Sequence, residues 1–121
     1  MKLLFVAAAI VGLASSGAIA QTAEPTFKAS PDVYKVIFED ANFRVIEGTR
    51  NKGVKDKAHS HPVPSVTYSL TDCKTKLYDA DGKTREVTSK AGTANTTPVT
   101  TSHSAENIGD AECKQIFVEK K

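Results

Sequence analysis

Between Val33 and Glu119 the chain divides into nine short runs of strand character and offers no amphipathic stretch of helical length. The runs are Tyr34 to Glu39, Phe43 to Arg50, Lys57 to His61, Ser65 to Cys73, Lys74 to Asp79, Thr84 to Ser89, Thr93 to Thr97, Thr101 to Ile108 and Glu112 to Glu119. So many short strands at close intervals predict an all-β sandwich or barrel. The clearest alternation, Ser65-Val66-Thr67-Tyr68-Ser69-Leu70-Thr71, predicts Val66, Tyr68 and Leu70 facing inward and the hydroxyl residues facing solvent. Phe43, Val45, Ile46, Leu77, Val87, Ile116, Phe117 and Val118 complete the expected core. Asp81-Gly82 and Gly109-Asp110 read as hairpin turns. Pro62 and Pro64 stiffen the loop after the third run.

The amino terminus has the three parts of a secretory signal: Lys2, the apolar run Leu3 to Leu13, and the small-residue site Ala18-Ile19-Ala20. Residues 1–20 are therefore expected to be a cleaved signal peptide, 21–32 a flexible leader containing Pro25 and Pro31, and 33–119 one small domain. The apolar run is shorter than the ~20 residues a membrane span needs, so no stable membrane insertion is expected after cleavage. Loss of Lys2 lowers the formal charge by one, from +2 to +1. That is too little to imply nucleic acid, and mixed clusters such as Lys55-Asp56-Lys57 read as solvated surface. Cys73 and Cys113 are an even pair in a chain expected in the periplasm or outside the cell, which favours a disulfide over free thiols or a redox or metal role.

All three histidines fall in two segments. In Gly53-Val-Lys-Asp-Lys-Ala-His59-Ser-His61 an extended backbone points both imidazoles to one side. In the second segment, Gly92 to Asn107, turn formers and Pro98 precede a short strand on which His103, Ala105 and Asn107 share a face. These segments resemble the two motifs of the cupins, small jelly-roll barrels. Gly53, His59 and His61 match the first motif, whose glutamate position falls on Ser65 or Val66; Gly92, Pro98, His103 and Asn107 match the second, whose inner glycine is replaced by Thr100. The resemblance covers essentially the whole chain after the leader. It implies a single jelly-roll barrel in which the strand ending at Cys73 lies beside the start of the last strand, at Cys113.

The resemblance also implies a divalent metal held by His59, His61 and His103, a donor set that leaves open positions as catalytic centres do. Without the family's glutamate, hard ions such as manganese or iron are expected to bind less well than zinc, copper or nickel. Glu47, Tyr68 and Tyr78 are the candidates to stand in for the missing acid, whereas the odd offset of Glu106 from His103 turns it to the other face. Asn107 either ties the strand end by hydrogen bonding or orients a ligating imidazole. Gly53 and Gly92 read as turn positions. Two functions fit: an exported protein that binds a metal or small molecule without catalysis, or a small metal-dependent enzyme, dioxygenase-like or hydrolytic, acting on a small organic substrate. A homodimer fits a barrel with exposed edge strands.

Overall fold

The computed structural model describes Gly17 and residues 21–121, so the expected signal peptide lies, Gly17 apart, outside the described residues. Among the described residues no helix is long and apolar enough to cross a membrane. Nine strands follow one short helix, α1 (Thr26–Ala29): β1 (Tyr34–Glu39), β2 (Phe43–Arg50), β3 (His59–His61), β4 (Ser65–Ser69), β5 (Cys73–Asp79), β6 (Thr84–Ser89), β7 (Ala94–Thr97), β8 (Thr100–Asn107) and β9 (Cys113–Lys120). They form a five-stranded sheet in the order β1-β2-β9-β4-β7 and a four-stranded sheet in the order β3-β8-β5-β6. Every named strand pairing is antiparallel. Cys73 on β5 and Cys113 on β9 form a disulfide, which ties the two sheets together. The architecture is a small all-β jelly roll.

Turn chemistry accounts for most of the connections, with one correction. Asp81-Gly82 closes the β5–β6 hairpin through the Asp79 N–H donating to Lys83 O at 2.8 Å and the Gly82 N–H donating to Asp79 O at 3.0 Å. Gly109-Asp110 makes no hairpin, because β8 and β9 belong to different sheets and the turn carries the chain from one to the other. Gly53 and Gly92 have φ of 77° and 79°, the left-handed region where a side chain is strained, so both motif glycines serve the turns they were expected to serve.

The leader also departs from expectation, because residues 23–30 are joined to the barrel. The Ala23 N–H donates to Thr101 O, the Ser60 N–H donates to Glu24 O, and Thr26 and Ser30 are buried. A segment without apolar periodicity is held here by backbone hydrogen bonds, small polar side chains and the single ring of Phe27 against the core, which leave no periodic trace.

The largest correction concerns β4, whose faces are reversed. Ser65, Thr67 and Ser69 are buried, while Val66 and Tyr68, and Leu70 just beyond the strand, are 47%, 41% and 44% exposed. A period of two separates the faces of a strand without saying which is inside. Two of the three inward hydroxyls find partners: Thr67 and Thr97 share a hydrogen bond of 2.5 Å, and Ser69 Oγ donates to Ser89 Oγ at 2.8 Å. The apolar side chains outside find lateral neighbours instead. Phe38, Val45, Val118 and Val66 are opposed in turn across β1, β2, β9 and β4, so the outer face carries an apolar row stabilised by cross-strand contact. Phe43 is likewise exposed, not core. The buried apolar cluster is small, formed by Val33, Tyr34, Ile46 and Phe117 with Phe27 and Val54 against it. Val45, Leu77, Val87, Ile116 and Val118 are only partly buried.

Candidate metal centre

The β3–β8 register brings the histidines together. His59 lies directly opposite His103 across the antiparallel pair, and His61, two residues further along β3, points to the same side. All three are buried, and one ligand nitrogen from each lies within 4.8 Å of the others. The Nε2 atoms of His61 and His103 are 3.0 Å apart. A cation ~2.0–2.1 Å from each nitrogen is compatible with that separation. The donor set therefore fits a divalent metal.

His59 is fixed from behind. Its Nδ1 donates to the Lys57 carbonyl at 2.9 Å, which leaves Nε2 with its lone pair for a cation. Asp56 Oδ1 lies 3.5 Å from the same Nδ1, in the carboxylate–imidazole arrangement that orients metal-binding histidines. The carboxylate is buried and well supplied with donors: the Tyr34 hydroxyl to Oδ2 at 2.6 Å, the Ala105 N–H to Oδ1 at 2.7 Å, and Arg50 to Oδ2 at 3.4 Å. Burial pushes the Asp56 pKa up, but hydrogen bonds from His59, Tyr34 and Ala105 outweigh it and hold the carboxyl below its ordinary value. Burial raises the Tyr34 phenol, so the group stays a donor. Arg50 donates to the Tyr34 oxygen at 2.6 Å and to Gln115 Oε1 at 2.9 Å, and its charge offsets that of Asp56.

Burial also keeps the imidazoles of His61 and His103 free of protons. His61 is pushed down to about 3 by burial and then by the neighbouring His103 and His59; His103 is pushed down to about 4 by burial and then by His59. Neutral imidazole is the form that ligates metal. The Nδ1 atom of His103 is buried with no hydrogen-bond partner. The three rings face a cavity of about 110 Å³ whose wall draws residues from both sheets.

Three sequence expectations about this centre need revision. Lys55-Asp56-Lys57 is not a solvated cluster, since Asp56 is buried behind His59. None of Glu47, Tyr68 and Tyr78 stands in for the missing acid: Glu47 pairs with Lys114 at 3.5 Å, Tyr68 is on the outer face, and Tyr78 donates to Glu106 on the other side of β8. At the family's glutamate position, Ser65 is buried without a partner for its hydroxyl and Val66 faces out. Asn107 ties the strand end, donating to Arg50 O at 2.9 Å and Ala111 O at 2.8 Å while accepting from the Gly109 N–H. Sequence reasoning missed Tyr34, Arg50 and Asp56. Only the spacing of Asp56, three residues before His59, offered a signal, and two flanking lysines masked it.

No protein-family model matches the chain, and no curated protein matches it in sequence. Solved structures do match in fold. A cupin domain from Bordetella pertussis Tohama I superposes with a TM-score of 0.68 at 21% identity, covering 74% of this chain and 92% of that one. An uncharacterised double-stranded β-helix protein from Klebsiella pneumoniae gives 0.57 at 19% identity over 73% of this chain and 75% of that one. A variant of the oxalate decarboxylase of Bacillus subtilis gives 0.52 at 23% identity over 66% of this chain and 22% of that one. The fold is that of the cupins.

Proposed function

We propose that this chain is an exported metal-binding protein that holds one divalent cation through His59, His61 and His103 and presents it to a small molecule, without committed catalysis. The observation that carries this reading is the convergence of three buried imidazoles from two strands on one point. Zinc, copper or nickel is the expected ion, because the donors are all nitrogen and the nearest carboxylate, Asp56, is engaged behind His59 and balanced by Arg50. Such an ion supplies Lewis acidity and lowers the pKa of water bound to it. The disulfide between Cys73 and Cys113 supports a periplasmic or extracellular location.

A binding role is preferred over an enzymatic one on two grounds. The cavity is small, about 110 Å³, and among the described residues no carboxylate lines it to serve as general base. The test is elemental analysis of protein purified without added metal, alongside His59→Ala, His61→Ala and His103→Ala. The expected result is about one equivalent of zinc, copper or nickel in the parent and at least a tenfold loss in each variant. Equal metal content in all four proteins would remove the proposal, and full occupancy by manganese would overturn the ion preference.

A further inference from the structure

The cavity wall away from the histidines is polar in a way that a metal site alone does not require. Thr67, Thr75, Ser89, Asn95, Thr97 and Gln115, from β4, β5, β6, β7 and β9, line it with hydroxyl and amide groups. Thr67 is one of the inward-turned hydroxyls of β4, and Thr97 and Ser89 are the partners that Thr67 and Ser69 of that strand meet inside. Thr67 and Thr75 are buried; placing hydroxyls there forgoes apolar burial, so the arrangement favours a ligand that accepts and donates hydrogen bonds.

The charge on the wall has one sign. Arg50 is the only formally charged side chain lining the cavity, and no Asp or Glu among the described residues faces it. Arg50 is buried, and its Nε has no hydrogen-bond partner. With a divalent cation on neutral imidazoles, the positive charge of metal and Arg50 together exceeds the single compensating charge of Asp56. An anion is the ligand that such a field selects. Leu77, Val87 and Phe117 supply apolar wall for a short carbon skeleton.

We propose that the cavity binds a short carboxylate bearing a neighbouring oxygen, an α-hydroxy or α-keto acid of two to four carbons. Its paired oxygens occupy open positions of the metal, and its remaining polar atoms meet the hydroxyl wall. This rests on the metal-binding reading above. The pair Thr67 and Thr97, whose hydroxyls bond each other, provides a clean handle, because replacing both partners removes the groups without orphaning one.

The test uses the zinc-loaded protein, with zinc content measured on every sample, and calorimetric titration with glycolate, ethylene glycol and ethanolamine. These probes share a two-carbon skeleton and differ in charge. Glycolate is expected to bind at least tenfold more tightly than either comparator, and the Thr67→Val/Thr97→Val variant, with zinc content and melting temperature retained, to lose three- to tenfold in glycolate affinity. Equal binding of the three probes, or unchanged affinity in the valine variant, overturns the ligand assignment while leaving the metal reading intact. A parent protein that takes up none of zinc, copper and nickel overturns both. Should the double variant lose zinc, Thr75→Val, on β5 of the other sheet and without a side-chain partner, carries the same expectation.

Discussion

At the scale of single residues, His61 and His103 face each other at 3.0 Å as bases that ordinary histidines would not be in mild acid. Their pKa values, about 3 and about 4, lie below the ordinary 6.5, with burial as the first cause in each. As pH falls below 6.5 the unfolded chain takes up these protons before the folded one, so acid favours unfolding. The penalty is absent above about pH 6.5 and grows until the folded histidines themselves protonate. Each contributes at most about 1.4 kcal/mol per pH unit in that window. Metal-free protein is therefore expected to lose thermal stability between pH 7 and pH 5, above the range where depressed carboxylates such as Asp56 titrate. Glu119, raised above 4.5 by burial, works in the opposite sense near the lower limit. Melting temperatures of parent and His61→Gln/His103→Gln across this range provide the check: a slope that persists in the variant would assign the acid sensitivity elsewhere. The convergence of the three histidines was legible in the sequence because spacing within β3 and motif order were enough. Their setting was not. Asp56, Tyr34 and Arg50 converge through tertiary packing, and their sequence separations of 22, 16 and 6 follow no local period.

At the scale of elements, β3 and β4 differ in what their sequences could tell. In β3 the two histidines share a face under any placement of the strand, so the ligand pair was readable without knowing the inside from the outside. In β4 the alternation was equally clear, yet the sense was reversed, because the choice of face depends on neighbours that come from β7, β9 and β6. Thr67 opposes Phe117, and it is Phe117, with its ring 5.9 Å from that of Tyr34, that supplies the local core. Most strand bounds agree within a residue or two because turn formers mark them, while the Gly109-Asp110 turn misled because a turn signal does not say which sheet receives the next strand. The reversal of β4 has a measurable consequence. Val66→Thr and Leu70→Thr are expected to change stability by only about 0.5 kcal/mol, as exposed substitutions do. Phe117→Ala is expected to cost about 3 to 5 kcal/mol, as buried aromatic truncations do. Chemical denaturation of the three variants compares them directly; comparable losses at positions 66 and 117 would return Val66 to the core.

At the scale of the whole molecule, one connected set of contacts runs from the disulfide to the metal centre. Arg50 lies opposite Cys113 across β2 and β9, and its Nη2 is 3.9 Å from Cys113 Sγ. The same guanidinium reaches Tyr34 and Asp56, and Asp56 reaches His59. With an apolar cluster this small, the barrel depends heavily on such links and on the covalent tie between sheets. Cys73 and Cys113 are 40 residues apart, and closing a loop of that size restricts the unfolded chain by ~4 kcal/mol on the chain-entropy account. Cys73→Ser/Cys113→Ser should therefore lose about 3 to 4 kcal/mol in denaturant unfolding. If the polar chain couples the two regions, the variant should also bind zinc several-fold more weakly at a temperature where it remains folded. Loosening the tie between β5 and β9 frees Arg50 to shift, and His59 then loses the buried carboxylate that orients it. A variant that is less stable yet binds zinc as the parent does would restrict the disulfide to holding the barrel closed, with the metal centre set by the β3–β8 register alone.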